Sequence, residues 1–132
     1  MSVAVTEGVR VEVMSRYVPE RSSPEDEQYF FAYTVRISNE GEKTVQLRSR
    51  HWIISDAGGH IEHVRGAGVV GEQPALAPGE SFEYTSACPL HAPYGTMHGS
   101  YLMVREDDTH FEAEIAPFEL VGPRSKLSRV FN

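Results

Sequence analysis

Tyr29-Phe-Phe-Ala-Tyr-Thr-Val-Arg-Ile-Ser-Asn39 puts Tyr29, Phe31, Tyr33, Val35 and Ile37 on one parity, and Phe30, Ala32, Thr34, Arg36 and Ser38 on the other. Successive side chains of a strand point to opposite faces, so this run reads as a strand with one core face and one wetter face. The period of two recurs on both sides of it. Val9, Val11 and Val13 alternate with Arg10 and Glu12, and Val45 and Leu47 with Gln46 and Arg48. Phe82 and Tyr84 alternate with Glu83 and Thr85, and Phe111, Ala113 and Ile115 with Glu112 and Glu114. Between the runs stand Asn39-Glu-Gly41, Asp56-Ala-Gly-Gly59, Pro78-Gly79, Pro93-Tyr-Gly95 and Asp107-Asp108, spaced as hairpin and sandwich connections are. The 8 prolines and 11 glycines are spread along the chain and discourage long helices, and no stretch carries a helical stripe. The pattern predicts an all-β fold: an antiparallel β-sandwich of the immunoglobulin or fibronectin type III kind, with roughly seven or eight short strands.

The 132 residues fit one domain, read as residues 1–122 with a basic C-terminal tail at 123–132. Residues 1–122 carry a formal charge of −10, and the tail, which includes Arg124, Lys126 and Arg129, carries +3. Such a tail can meet a partner or lie on its own domain. The net charge of −7 argues against direct nucleic-acid binding, which rests on a basic patch meeting phosphates. Glu7 and Arg10 come too early for a secretory apolar core, and no run approaches ~20 apolar residues, so no membrane span is expected. A cytoplasmic location is the expectation, and the single cysteine, Cys88, agrees with it. One cysteine also excludes an internal disulfide and a Cys-based zinc site. Ser22 to Gln28 is polar and acidic and reads as an exposed loop between the first two strands. Sandwich edges leave a homodimer open.

Gly66-Ala-Gly-Val-Val-Gly71 fits G-x-G-x-x-G and follows a strand read at His60 to Arg65. A dinucleotide fold needs a helix immediately after it, and Glu72-Gln-Pro74 followed by Pro78-Gly79 leaves no room for one. Two readings stay open. Glycine can be needed there for the backbone shape of a crossover, or successive N–H groups can form an anion-holding nest. A hairpin at Asp56 to Gly59 with Ile54 opposite Ile61 sets Trp52 opposite His63 and Arg50 opposite Arg65. Two guanidinium forks would then share a face beside the loop, a pairing suited to phosphate. The candidate ligand-binding residues are accordingly Gly66, Ala67, Gly68, Val69, Val70, Gly71, Arg50 and Arg65.

Other constellations point to structure. His60 and His63 are three apart on a strand, so their imidazoles face opposite ways and cannot share an ion. His51, His91, His98 and His110 show no ligand spacing, and no metal site is expected. Glu106-Asp107-Asp108 sits in a turn without the pattern of a dedicated calcium loop. Cys88 and Trp52 read as core. No nucleophile elbow, P-loop or kinase signature is present, so no catalytic residue and no cofactor is expected.

Four blocks resemble the bacterial ApaG family: Arg50 to Asp56, Gly66 to Pro74, Leu76 to Ser86 and Gly95 to Tyr101. The resemblance runs from about Val9 to Leu120. It implies a fibronectin III-like sandwich without established catalytic activity, linked to cobalt resistance and magnesium efflux. Family genes tend to neighbour a diadenosine tetraphosphate hydrolase and a ribosomal RNA methyltransferase. Related domains joined to an F-box protein and to a polymerase-interacting protein imply protein binding, and the glycine block is proposed in the family to hold pyrophosphate. Departures are Ala67 where the family usually has Glu, Ser100 where His is usual, and Cys88 to Pro93 where a Thr-containing loop is usual. The expected function is a non-catalytic binding or adaptor domain for an unidentified protein partner. The alternative is a sensor of pyrophosphate or a nucleotide at Gly66 to Gly71.

Overall fold

The computed structural model describes residues 1–123; the basic tail, from residue 124 on, lies outside the described residues. Chain order gives β1 (Ser2–Thr6), β2 (Val9–Tyr17), β3 (Tyr29–Asn39), β4 (Val45–Asp56), β5 (Ile61–Ala67), β6 (Ala75–Leu76), β7 (Ser81–Leu90), β8 (Tyr94–Arg105) and β9 (His110–Val121). One sheet runs β1-β2-β3-β7; the other runs β5-β4-β8-β9, with β6 also on β4. All pairings are antiparallel. The sequence expectation of an antiparallel sandwich therefore holds. The Ser22 to Gln28 segment includes a short 3-10 turn at Pro24–Asp26, preceded by another at Pro19–Arg21, with no buried residue in either. Among the described residues no helix is long and apolar enough to cross a membrane.

The core forms where the inward parities of the two sheets meet. Val11 and Val13 of β2, and Phe31, Val35 and Ile37 of β3, face Leu47 and Trp52 of β4 and Tyr101 and Met103 of β8. Parity is not constant along two of these strands. In β4 the pairing with β8 shifts register between Leu47 and Ser49, so the inward residues change from Val45 and Leu47 to Trp52. In the β8–β9 pair the shift falls between Met97 and Gly99, and β9 changes from Phe111, Ala113 and Ile115 to Phe118 and Leu120. Pro117, with no N–H to give a ladder, stands at that irregularity. Gly99 lies opposite Trp52, and a Cβ there would sit 1.9 Å from the His51 carbonyl oxygen. That approach fixes glycine at this point in β8.

The two sides of the sandwich close differently. On one side β1 and β2 reach β9: Glu114 N donates to Thr6 Oγ1 at 3.0 Å, and Ser15 Oγ donates to the Glu119 carbonyl at 2.7 Å. On the other side β5 and β7 are the outermost strands of their sheets and do not pair with each other.

Candidate functional site

Between β5 and β7 the open side forms a groove of about 400 Å³. Tyr33, Trp52, Cys88 and Met97 are its buried residues; Arg50, Glu62, Ser86 and His91 supply polar groups. The bulge in β4 makes this possible, because the extra residue turns Arg50, Trp52 and Ile54 toward the sheet interface. Trp52 is 2% exposed and meets Tyr33 edge-on, with ring centroids 5.2 Å apart. Among the described residues its indole Nε1 has no hydrogen-bond partner. Burial pushes the Cys88 thiol up to about 11, with the Glu62 charge adding to the effect. A thiol so held is protonated near neutrality and is a poor nucleophile. Burial likewise raises the Tyr33 phenol. Among the described residues the groove thus offers one cation, one carboxylate and an aromatic floor, flanked by two unpaired strand edges.

At its upper end the groove continues into a cavity of about 320 Å³ against the glycine loop, lined by Arg50, Ala67, Val69, Val70 and Gly71. The loop is organised around Arg50. Its Nη1 donates to the Ala67 carbonyl at 3.0 Å and to the Gly68 carbonyl at 2.9 Å. The guanidinium lies so flat against Gly66 that a Cβ there would come within 2.8 Å of Nη2. Gly68 N donates to the Arg48 carbonyl, which also accepts from Gln73 Nε2. Val69, 1% exposed, plugs the loop into the core, and Val69 and Glu72 exchange backbone hydrogen bonds at 2.8 and 2.9 Å. Val70 and Gly71 between them have φ of 43° and 81°, the signature of a type I′ turn. A β-branched residue with positive φ is strained, and Val70 is 55% exposed at the tip.

The expected pairing of Arg50 with Arg65 is corrected by the register. Asp56 N donates to the His60 carbonyl and Gly59 has φ of 85°, so the β4–β5 loop holds three residues and a left-handed glycine. The two-residue loop implied by Ile54 opposite Ile61 is one residue shorter. Arg50 therefore pairs with Gly66, Trp52 with Val64 and His51 with Arg65. A slip of one residue sends alternate side chains to the other face, so Arg50 points into the groove and Arg65 to the outer face of the sheet. Of the candidate ligand residues, Arg50 and Ala67 to Gly71 stand together; Gly66 underlies the guanidinium and Arg65 is apart.

The outer face holds a feature that spacing did not reveal. His51 Nε2 and His63 Nδ1 are 2.9 Å apart across β4 and β5. The residues are twelve apart in sequence, and only the correct register brings them side by side. At the β8–β9 turn Asp107 is already engaged: Lys43 Nζ lies 2.6 Å away and Thr109 donates from both its N–H and its hydroxyl. The Lys43 and Thr109 hydrogen bonds hold its carboxyl far below the usual carboxylate range.

Comparison with known proteins gives a consistent result. Residues 19–105 match the ApaG domain family. The chain is 57% identical over 123 residues to Protein ApaG of Methylobacterium sp. (strain 4-46), covering 93% of this chain and 95% of that one. It is 58% identical over 125 residues to Protein ApaG of Anaeromyxobacter dehalogenans (strain 2CP-C), covering 95% and 98%. A crystal structure assigned to an ApaA protein of Bordetella pertussis superposes with a TM-score of 0.85 at 56% identity, over 89% of this chain and 95% of that one. The C-terminal domain of wzt shares the fold alone, with a TM-score of 0.55 at 10% identity over 94% of this chain and 78% of that one. With sequence blocks, sandwich topology and these matches in agreement, the chain belongs to the ApaG family.

Proposed function

We propose that this chain is a non-catalytic binding domain that docks an extended segment of a protein partner in the groove between β5 and β7. The observation that carries this reading is the pair of strand edges, unpaired among the described residues, that flank a cavity with an aromatic floor. A partner strand added to a free edge gains main-chain hydrogen bonds, and pockets along the edge select its side chains. Glu62, His63 and Arg65 on β5 and Pro89 on β7 guard those edges against indiscriminate pairing, which favours selective recognition. Ile61 and Val70 stand near the two ends of β5 with 66% and 55% of their surface exposed, apolar contacts available to such a segment.

Photo-crosslinking side chains placed singly at Glu62, Ser86, Val3 and Arg36 test the proposal in cells. Adducts of one discrete size from Glu62 and Ser86, absent from Arg36, are expected. Adducts confined to Val3 would move the contact to the β1 edge and point to a second copy of the chain or another partner there. A cobalt or magnesium phenotype would follow from a partner that regulates transport as readily as from metal held by this chain.

A phosphate-ligand sensor is the second reading, favoured by the cavity that Arg50 shares with Ala67 to Gly71. Gly68 N and Val69 N are spent on the Arg48 and Glu72 carbonyls. The anion would therefore rest on the tip amides of Val70 and Gly71 and on the remaining guanidinium donors of Arg50. An amide NMR titration with pyrophosphate, ATP and diadenosine tetraphosphate, with magnesium, tests it. Saturable shifts at Val70, Gly71 and the Arg50 side chain support it; no shift at millimolar ligand removes it.

A further inference from the structure

β4 and β5 each present a histidine to the outer face of their sheet, away from the groove. His51 stands opposite Arg65 and His63 opposite Ile53, so the two are diagonal neighbours. Nε2 of His51 and Nδ1 of His63 are 2.9 Å apart, with ring centroids separated by 5.2 Å and ring planes by 28°. That combination sets the nitrogens head to head rather than the rings face to face. An imidazole nitrogen binds a divalent ion at about 2.0–2.1 Å, so two of them at a right angle around one ion lie about 2.9 Å apart. In the free chain this contact is an N–H···N hydrogen bond whose N···N spacing equals that of a chelate, so to bind an ion the donor ring must move its proton to its other nitrogen and both rings must turn. Each imidazole has to swing until its lone pair points at a common apex. Histidine χ2 has a broad energy well, and His63 is exposed and His51 half-exposed.

Glu112 accepts from Ser100 Oγ at 3.4 Å, and Ser100 is the β8 residue opposite His51. A carboxylate thus stands near the pair to offset part of an ion's charge through water. Among the described residues no group of three or more His, Cys, Asp or Glu is arranged to hold an ion. The remaining positions would therefore be filled by water.

We propose that His51 and His63 form a cross-strand, two-imidazole chelate for a divalent transition ion that accepts nitrogen donors at right angles, copper(II) ahead of nickel(II). Affinity of nitrogen sites for first-row ions rises to copper(II), and its tetragonal geometry matches the spacing. Magnesium and calcium require oxygen donors and would not be held. Because the site bridges β4 to the edge strand β5, an ion bound there stabilises the folded chain by mass action.

The full chain is titrated with copper(II) and, separately, nickel(II) at about pH 7.5 in a non-coordinating buffer, beside H51N, H63N and H98N. The expected copper EPR spectrum shows two imidazole nitrogens and saturates at one equivalent, and nickel raises the melting temperature. Both effects disappear in H51N and in H63N, persist in H98N, and fade as protons compete at lower pH. Amide spectra confirm that each variant is folded; should H51N unfold, H63N on the exposed edge strand carries the test. Saturable binding that survives H63N, or no saturable binding by the wild-type chain, would overturn the proposal.

Discussion

Replacing Arg50 by methionine keeps an unbranched stem but removes the guanidinium around which the glycine loop is built. Two hydrogen bonds disappear, to the Ala67 and Gly68 carbonyls at 3.0 and 2.9 Å. A hydrogen bond to a charged group contributes ~1.5–3 kcal/mol when sheltered, and these lie partly open to water, so their combined loss costs about 2 kcal/mol. For 132 residues the unfolding entropy is about 0.28 kcal/mol/K, which converts that loss to a fall of ~7 °C in melting temperature. The effect is local: amide signals of Gly66 to Gly71 should move most, while those of β2 and β3 stay in place. Arg50→Lys, with a point charge in place of a planar fork, should recover roughly half the loss. Thermal melts and amide spectra of the three proteins decide the matter. A methionine variant that melts within about 2 °C of the parent with unmoved loop signals would show that Arg50 does not organise the loop.

The glycines of the loop should separate sharply. Gly68→Ala puts a Cβ 2.3 Å from the Glu72 carbonyl oxygen at φ of 63°, and urea unfolding should show a loss of ~3 kcal/mol or more. Gly71→Ala, at φ of 81° with open space around it, should cost only about 1 kcal/mol. Val70→Asn, which gives the type I′ turn a residue that tolerates φ of 43°, should stabilise the chain by about 1 kcal/mol in the same assay. Asp107 is held below its unfolded value, so its contribution is present above that value and fades as pH falls through the folded one. Lys43→Met should raise the Asp107 titration toward ~3.9 by carboxyl-carbon NMR, and the stability difference between parent and variant should shrink in acid.

Strand existence was legible because alternation is strict where one face is buried, as from Tyr29 to Ile37. Three features were less so. β1 was not separated as a strand because Ser2 to Thr6 joins β2 through a two-residue turn, Glu7 and Gly8, with φ of 46° and 86°. The bulges announce themselves in parity: Leu47 and Trp52, both buried, are an odd number of residues apart, as are Ile115 and Phe118. A reader who trusted burial over regularity would have inserted a residue at both places. The β4–β5 register turned on whether Asp56 to His60 closes with two loop residues or three, and that choice rests on Gly59 rather than Gly58 adopting positive φ. From that single choice follow the separation of Arg50 and Arg65 and the meeting of His51 and His63. The groove was illegible for a different reason, since it depends on which edges of two sheets are left open.

The binding reading is tested most directly by amide hydrogen exchange on the chain with peptides selected from a random linear library against it. The account predicts that a bound peptide slows exchange along β5 and β7 and shifts the Trp52 indole signal, with β1 and β9 unchanged. Protection confined to β1, or selected peptides that leave β5 and β7 exchanging as in the free chain, would contradict it.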